Sequence, residues 1–498
     1  MVFIGIDVGT AGSKATAIDH NGVIKAHAYS EYKAVRLGSG HAEIDPAAVW
    51  QTVKNIIRKV AADSGGQVDA IAVASFGESF VLLDKNDNVL RNSMLYTDVR
   101  GAEETEDILQ KFSEQDLFDI TGMPASSMFS LNKLLWLKKH EPEILARADK
   151  LFLFEDYIYF KLSGERSIDY SLASRTMMFD YANSDWSARV LDAFGFNRDL
   201  FSRPVRPGSV IGRISKNIAD ELGLNNNVIL VAGAHDQVCA ALGAGVLSKG
   251  ESVDGIGTSE CITVCLEDMS QTEFMRKNNF CIEPYALKDE FVTLAFSSTG
   301  AAIMSWYCEN VSMPEISPDS GQTNYFDVIE SQCPADPTDL LVLPHFAGSG
   351  TPHMDPYSTG AILGLRLSTK GTEIYKACVE GICFEMLYNA ELLKEMGTNI
   401  TGITCVGGGS KSPFVLQIKA DIMGIPVKKL QAKESGTIAL AMLCATACGE
   451  FGSLSEAAER MVKIDKTFYP DESRHKIYQE KYQEYKKIYS AISSIRNV

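Results

Sequence analysis

Two stretches of this chain follow one plan. FIGIDVGTAGSKATAID (residues 3–19) is an apolar alternation, a Gly-Thr turn and a second alternation ending in Asp. ESVDGIGTSECITVCLED (residues 251–268) repeats strand, Gly-Thr turn, strand and acidic end. Period-two alternation on both sides of a Gly-containing turn predicts a β-hairpin in each place. One hairpin constrains little, but two of the same plan half a chain apart predict two related α/β domains. At 498 residues the chain exceeds what a single core supports. The polar SKGE of residues 248–251 contains Gly and marks the boundary, giving expected domains of 1–247 and 248–498.

With 45% hydrophobic and 22% charged residues the composition is that of a globular protein. A formal charge of -17 argues against a nucleic-acid partner. The opening MVFIGIDVG has no basic leader and Asp7 interrupts its apolar run, so it does not read as a signal peptide. No apolar stretch reaches the ~18 residues of a membrane helix, so a cytoplasmic setting with no membrane partner is expected. The 11 cysteines include no CxxC pair and read as reduced, buried thiols. Tyr478, Tyr482, Tyr485, Tyr489 and Ile492, spaced by fours and threes, predict one face of a terminal helix docked on its own domain.

Three loops are suited to phosphate chemistry. Asp7-Val8-Gly9-Thr10 leaves a strand, with Gly12-Ser13-Lys14 just beyond. Backbone N–H groups of such a turn and the Thr hydroxyl suit phosphate oxygens, Lys14 adds a cation, and Asp7 suits Mg²⁺ held through water. A hairpin that merely needs a small, polar bend accounts for the same residues. Gly257-Thr258-Ser259 offers the same chemistry, and Gly407 through Ser412 (GGGSKS) lies between an apolar strand and a helix, where a flat ligand can lie against glycine backbone. In VAGAHDQVCAALGAG, His235 or Asp236 suits a helix N-cap, and Asp236 equally suits a base that accepts the proton of an attacking hydroxyl. ASFGESFVLLD (residues 74–84) places Glu78 at the end of a buried strand, where a carboxylate must be paired or have a task.

These segments match a known family in order. IGIDVGTAGSKATAID, GHAEIDPAAVW, MFSLNKLLWLKKH, GAILGLRLSTKGTEIYKACVE and GGGSKSPFVLQIKADIMGIPV together resemble the FGGY carbohydrate kinases from end to end. The resemblance implies an α/β fold of two actin-like (ribonuclease H-like) ATPase domains flanking a central catalytic cleft. It implies ATP-dependent phosphorylation of a hydroxyl on a small sugar or polyol, with ATP and Mg²⁺ as cofactors. Asp236 is then the general base, and Asp7 helps organise the metal through water. Thr10, Lys14 and Thr258 contact phosphate, while Gly300, Gly408, Gly409 and Ser412 serve the nucleotide. Gly77 and Glu78 stand where xylulose kinases carry His-containing and glycerol kinases Arg-Glu sequences, and with Asp98 and Asp236 they are the expected acceptor-binding set. The pocket matches neither of those two specificities. A homodimer is expected by analogy alone. The competing reading is a non-catalytic sugar sensor or an actin- or chaperone-like ATPase on the same fold.

Overall fold

The two expected hairpins are present, and each seeds a sheet. In the computed structural model, which describes residues 1–65, 67–311, 325–431 and 434–496, Val2–Val8 pairs antiparallel with Gly12–Asp19 and Glu251–Ile256 with Glu260–Cys265. In the first sheet Val2–Val8 also pairs parallel with Ala70–Ser75, which pairs parallel with Ile229–His235, and Val210–Arg213 closes that edge antiparallel. In the second, Glu251–Ile256 pairs parallel with Gly402–Val406, then Val427–Leu430 follows parallel and Ile464–Phe468 antiparallel. The order and sense of pairing repeat, which makes the two halves related in topology as well as in sequence plan. Every residue of Ala70–Ser75 is buried, as expected of a central parallel strand covered on both faces.

The chain packs as two units. One comprises Met1–Leu247, Cys281–Val292 and Glu434–Lys463; the other comprises Ser248–Phe280, Thr293–Lys433 and Ile464–Val498. The two continuous runs expected from the sequence therefore do not describe the packing, because two later segments return to the first unit. Helix Ser435–Ala447 explains one return. Its sequence SGTIALAMLCATA is apolar on nearly all sides and almost wholly buried, so it needs a core on every face. It lies against the first strand, where a Cβ on Gly5 would meet Thr437 O at 2.8 Å. The opposite face of that strand, Ile4, Ile6 and Val8, packs with Val49, Val53 and Ile57 of helix Pro46–Asp63.

In the second unit, helix Gly371–Glu395 is the long central element. The tyrosine face of the C-terminus docks there as expected: Tyr478 donates to Glu380 at 2.9 Å, Tyr482 to Glu391 at 2.7 Å, and Tyr485 to Glu385. It is not one helix, however, but Glu472–Tyr485 followed by Ile488–Arg496. Among the described residues no helix is long and apolar enough to cross a membrane.

Candidate active site

Strand Ile229–His235 delivers Asp236. Its ladder with Ala70–Ser75 shifts register between Val231 and Ala234, a bulge of the kind that re-aims a strand end. The shift leaves Gly233 N–H without a strand partner, and buried groups take it: Glu155 Oε1 at 3.0 Å and the Tyr159 hydroxyl at 3.1 Å. Only glycine fits there, since a Cβ would lie 1.8 Å from Val73 O. Beyond the bulge, His235 N–H donates to Ser171 Oγ at 2.8 Å, and Asp236 is the first residue of helix Asp236–Gly243. His235 precedes that helix without a side-chain capping bond. Burial raises the Asp236 carboxyl to about 6, against the pull of His235 and with the added repulsion of Asp7 and Glu78. His235 Nε2 lies 3.2 Å from Asp236 Oδ1. A carboxylate so tuned is ionised at neutral pH yet basic enough to accept a hydroxyl proton.

Glu78 is both buried, at 4% exposure, and strained, at φ +65°. Its Oε1 accepts from Arg175 Nε at 2.7 Å and from Nη2 as well. Arg175 Nη1 reaches Glu283 Oε2 at 3.4 Å. The puzzle of a carboxylate at a strand end thus has an answer 97 residues away, which no local pattern announces. Both of these bonds fall on Oε1, and no hydrogen bond to Oε2 is formed among the described residues. Gly77 lies against the Arg175 stem, where a Cβ would meet Cγ at 2.9 Å. The phenol of Tyr96 is raised by partial burial and then by Glu78 and Asp236, so these three groups share one electrostatic environment.

Asp98 is a correction. Its Oδ1 accepts from Arg100 N and Nε, both at 2.9 Å, and its Oδ2 from Arg100 Nη2 at 2.6 Å and Ala42 N at 2.7 Å. With its side chain sealed from solvent, all four acceptor directions are used by protein, leaving none for an acceptor hydroxyl. It organises Arg100, which also reaches Glu43 at 2.7 Å.

On the first hairpin Asp7 and Lys14 are cross-strand partners. Lys14 Nζ sits 3.1 Å from Asp7 Oδ2 and 3.1 Å from Glu434 Oε2. Burial works against the ammonium, but the two carboxylates prevail and its pKa is raised. Thr10 lies half-buried at the hairpin tip, which Gly9 N–H closes onto Gly12 O at 3.0 Å.

The second unit holds a cavity of about 630 Å³ with apolar walls from Ile256, Met304, Trp306 and Val415. Thr258, Gly408, Gly409 and Ser412, named from the sequence as phosphate and nucleotide contacts, are among its lining residues. A Cβ on Gly408 would meet nothing within 4 Å, whereas one on Gly409 would strike Ile256 Cγ2 at 2.3 Å. Gly300 has a different duty: it does not line the cavity but packs under the Gly257–Ser259 turn, where a Cβ would lie 2.6 Å from Ser259 C. Ser412 Oγ caps helix Pro413–Met423 and donates to Glu330 at 2.8 Å, and the Tyr375 hydroxyl donates to the same carboxylate at 3.1 Å. Burial raises Glu330. The size and mixed lining suit a nucleoside-sized ligand. The sequence reading missed Glu330, Trp306 and Tyr375 because they come from helices remote from the glycine loop.

Comparison with known proteins agrees with this geometry. The FGGY family of carbohydrate kinases matches the chain twice, its N-terminal domain over residues 2–243 and its C-terminal domain over residues 255–448. The chain is 29% identical to the xylulose kinase of Bacillus subtilis over 490 residues, covering 98% of this chain and 96% of that protein. Two solved structures, a ligand-bound xylulose kinase and a gluconate kinase from Lactobacillus acidophilus, each align at a TM-score of 0.90 and 26% identity, over 99% of this chain and 98% of theirs.

Proposed function

Since the chain belongs to the FGGY family of carbohydrate kinases and is an ATP-dependent sugar kinase, we propose that Asp236 is its general base and a neutral ketopentose or related polyol its acceptor. The observation that carries this reading is Asp236 itself, a partly exposed carboxylate at a helix start just beyond a bulged strand end, 3.2 Å from the His235 ring. In the proposed reaction it orients the acceptor hydroxyl and takes its proton as the oxygen attacks the γ-phosphorus of ATP. Glu78 Oε2 accepts from a neighbouring acceptor hydroxyl, and a site built on such bonds rejects analogues that lack them. Thr10 and Lys14 of the first hairpin and Thr258 of the second are the proposed phosphate contacts. Trp306, Gly408 and Gly409 are the proposed purine and ribose walls.

The donor set fits Mg²⁺ in its usual mode. Asp7 offers carboxylate oxygen, yet the described residues contain no group of three or more ligand side chains. A cation held by phosphate oxygens and water, with Asp7 behind the water, meets that arrangement. When bound it neutralises charge on the phosphates. Lys14, already held between Asp7 and Glu434, keeps those carboxylates from repelling the nucleotide.

A neutral acceptor is favoured over a sugar acid because the cations near Asp236 are already engaged. Arg175 serves Glu78 and Glu283, and His235 serves Glu283 and Asp236. The test is ADP release across a panel of ketopentoses, polyols and aldonates, with Asp236→Asn as the control. Turnover should need a neutral acceptor and fall about 10²–10⁴-fold in the variant. Sugar-independent ADP release, or full activity in Asp236→Asn, would overturn the reading.

A further inference from the structure

Both ring nitrogens of His235 face carboxylate oxygens. Nδ1 is 2.8 Å from Glu283 Oε1, and Nε2 is 3.2 Å from Asp236 Oδ1. The Nδ1 contact is a hydrogen bond and the Nε2 contact an ion pair; a neutral imidazole carries a single N–H and no charge, so the imidazolium suits both neighbours. The ring is buried at 5% exposure, and Glu283 is sealed entirely. The second oxygen of Glu283 meets Arg175, whose other donors hold Glu78. Glu78, Arg175, Glu283, His235 and Asp236 therefore form one line of alternating charge, buried as far as His235 and ending on Asp236, whose side chain is 30% exposed. Such lines contribute little net stability against an apolar alternative, and their best-attested use is to fix one geometry.

We propose that His235 is a positioning residue for Asp236: Glu283 fixes the ring, the ring holds Asp236 Oδ1, and Asp236 Oδ2 is left for the acceptor hydroxyl. Arg175 extends the same line to Glu78, so the group that reads the acceptor and the group that deprotonates it are set together. This rests on the assignment of Asp236 as the base. The charge state matters in both directions. While the ring is an imidazolium, Asp236 stays ionised and anchored. Once the ring loses its proton, Nδ1–H remains with Glu283, and the Nε2 lone pair then faces Asp236 Oδ1 and repels it.

The groups facing each member are all of known sign. His235 meets Glu283, Asp236 and, more distantly, Arg175, with Ser171 Oγ at its backbone. Asp236 meets His235 and feels Asp7 and Glu78. The contacts with Glu283 and Asp236 outweigh burial and bring His235 to about 9. The kcat/KM profile of the wild-type kinase, measured with its best acceptor, should therefore fall below about pH 6 as Asp236 protonates and above about pH 9 as His235 deprotonates. These apparent values belong to the coupled pair.

His235→Gln should abolish the alkaline limb and move the acid limb upward, because the cation that opposes protonation of Asp236 is gone. Its kcat should fall about 10–100-fold, the scale of a misplaced reacting group, while the acceptor KM stays within about twofold. Glu283→Gln keeps the shape of the site and should move the alkaline limb downward. A partly unfolded preparation lowers kcat but moves neither limb. The positioning role is overturned by a wild-type profile with no alkaline limb, or by His235→Gln with wild-type kcat and both limbs in place. If that variant does not fold, an unmoved alkaline limb in Glu283→Gln overturns it equally. Loss of acceptor dependence in the wild type, or activity in Asp236→Asn, would instead remove the kinase reading on which it rests.

Discussion

Glu78 holds a left-handed backbone at φ +65°, which costs a non-glycine residue about 1–3 kcal/mol, and it places a charge where water scarcely reaches. Arg175 offsets the charge through two donors to Oε1, and Oε2 is the oxygen proposed to accept from the acceptor. Glu78→Ala should act twice. It leaves the Arg175 guanidinium, with a side chain 8% exposed, to Glu283 alone, and stability should drop by on the order of 3 kcal/mol in urea melts. The acceptor KM should rise at least about tenfold while the ATP KM holds, as expected when one substrate hydroxyl loses its partner. An unchanged acceptor KM would show that Glu78 serves Arg175 and nothing else. Asp98 sits among the same expected acceptor residues in sequence but spends all its oxygens on Arg100 and Ala42. Asp98→Asn should therefore lower stability and leave the acceptor KM in place. Two acidic residues of similar promise in the sequence separate only when their neighbours are known.

At the scale of an element, the sequence shows a buried apolar run over 228–232 and a small-residue helix over 238–247, where the structure has strand Ile229–His235 and helix Asp236–Gly243. The bulge between Val231 and Ala234 was not, because it depends on Val73 from a neighbouring strand and on Glu155 and Tyr159 from helix Phe154–Ser163. That bulge aims Asp236. Gly233→Ala puts a methyl 1.8 Å from Val73 O, so either the strand moves or the protein does not fold. Destabilisation of about 3 kcal/mol or more is expected, and any folded fraction should show depressed kcat because the base is displaced. A soluble Gly233→Ala enzyme with normal melting and kcat would deny the bulge this role. The C-terminal tyrosines show the complementary limit. Their spacing marked the docking face correctly, yet the break after Tyr485 has no glycine or proline to announce it, and we find no local cause for it.

Across the whole molecule, the two units share one topology, and the cavity proposed for the nucleotide belongs to the second. Trp306 lines the cavity of the second unit, and Trp306→Ala should raise the ATP KM about tenfold through lost stacking and apolar contact without altering the acceptor KM; a shift in the acceptor KM alone would refute the assignment of that cavity to the nucleotide. The hairpins themselves illustrate how like sequences diverge. In the first, Lys14 is partly exposed between Asp7 and Glu434. In the second, Asp254 and Glu260 enclose the fully buried Lys419 from helix Pro413–Met423, which ties the hairpin to its own core. The sequence by itself determined the hairpins, their duplication and the family, and it singled out Asp236 as the candidate base, because these depend on short-range periodicity and on motifs read in order. The tertiary structure alone decided that residues 281–292 and 434–463 join the first unit. It also decided that Asp98 is spent on Arg100 and that Arg175, Glu283 and His235 join Glu78 to Asp236. The reason is physical: the state of a buried charge is set by whichever groups share its low-dielectric surroundings; Arg175 lies 97 residues from Glu78 and 108 from Glu283, and Glu283 lies 48 from His235, separations that only the folded chain brings within hydrogen-bond range.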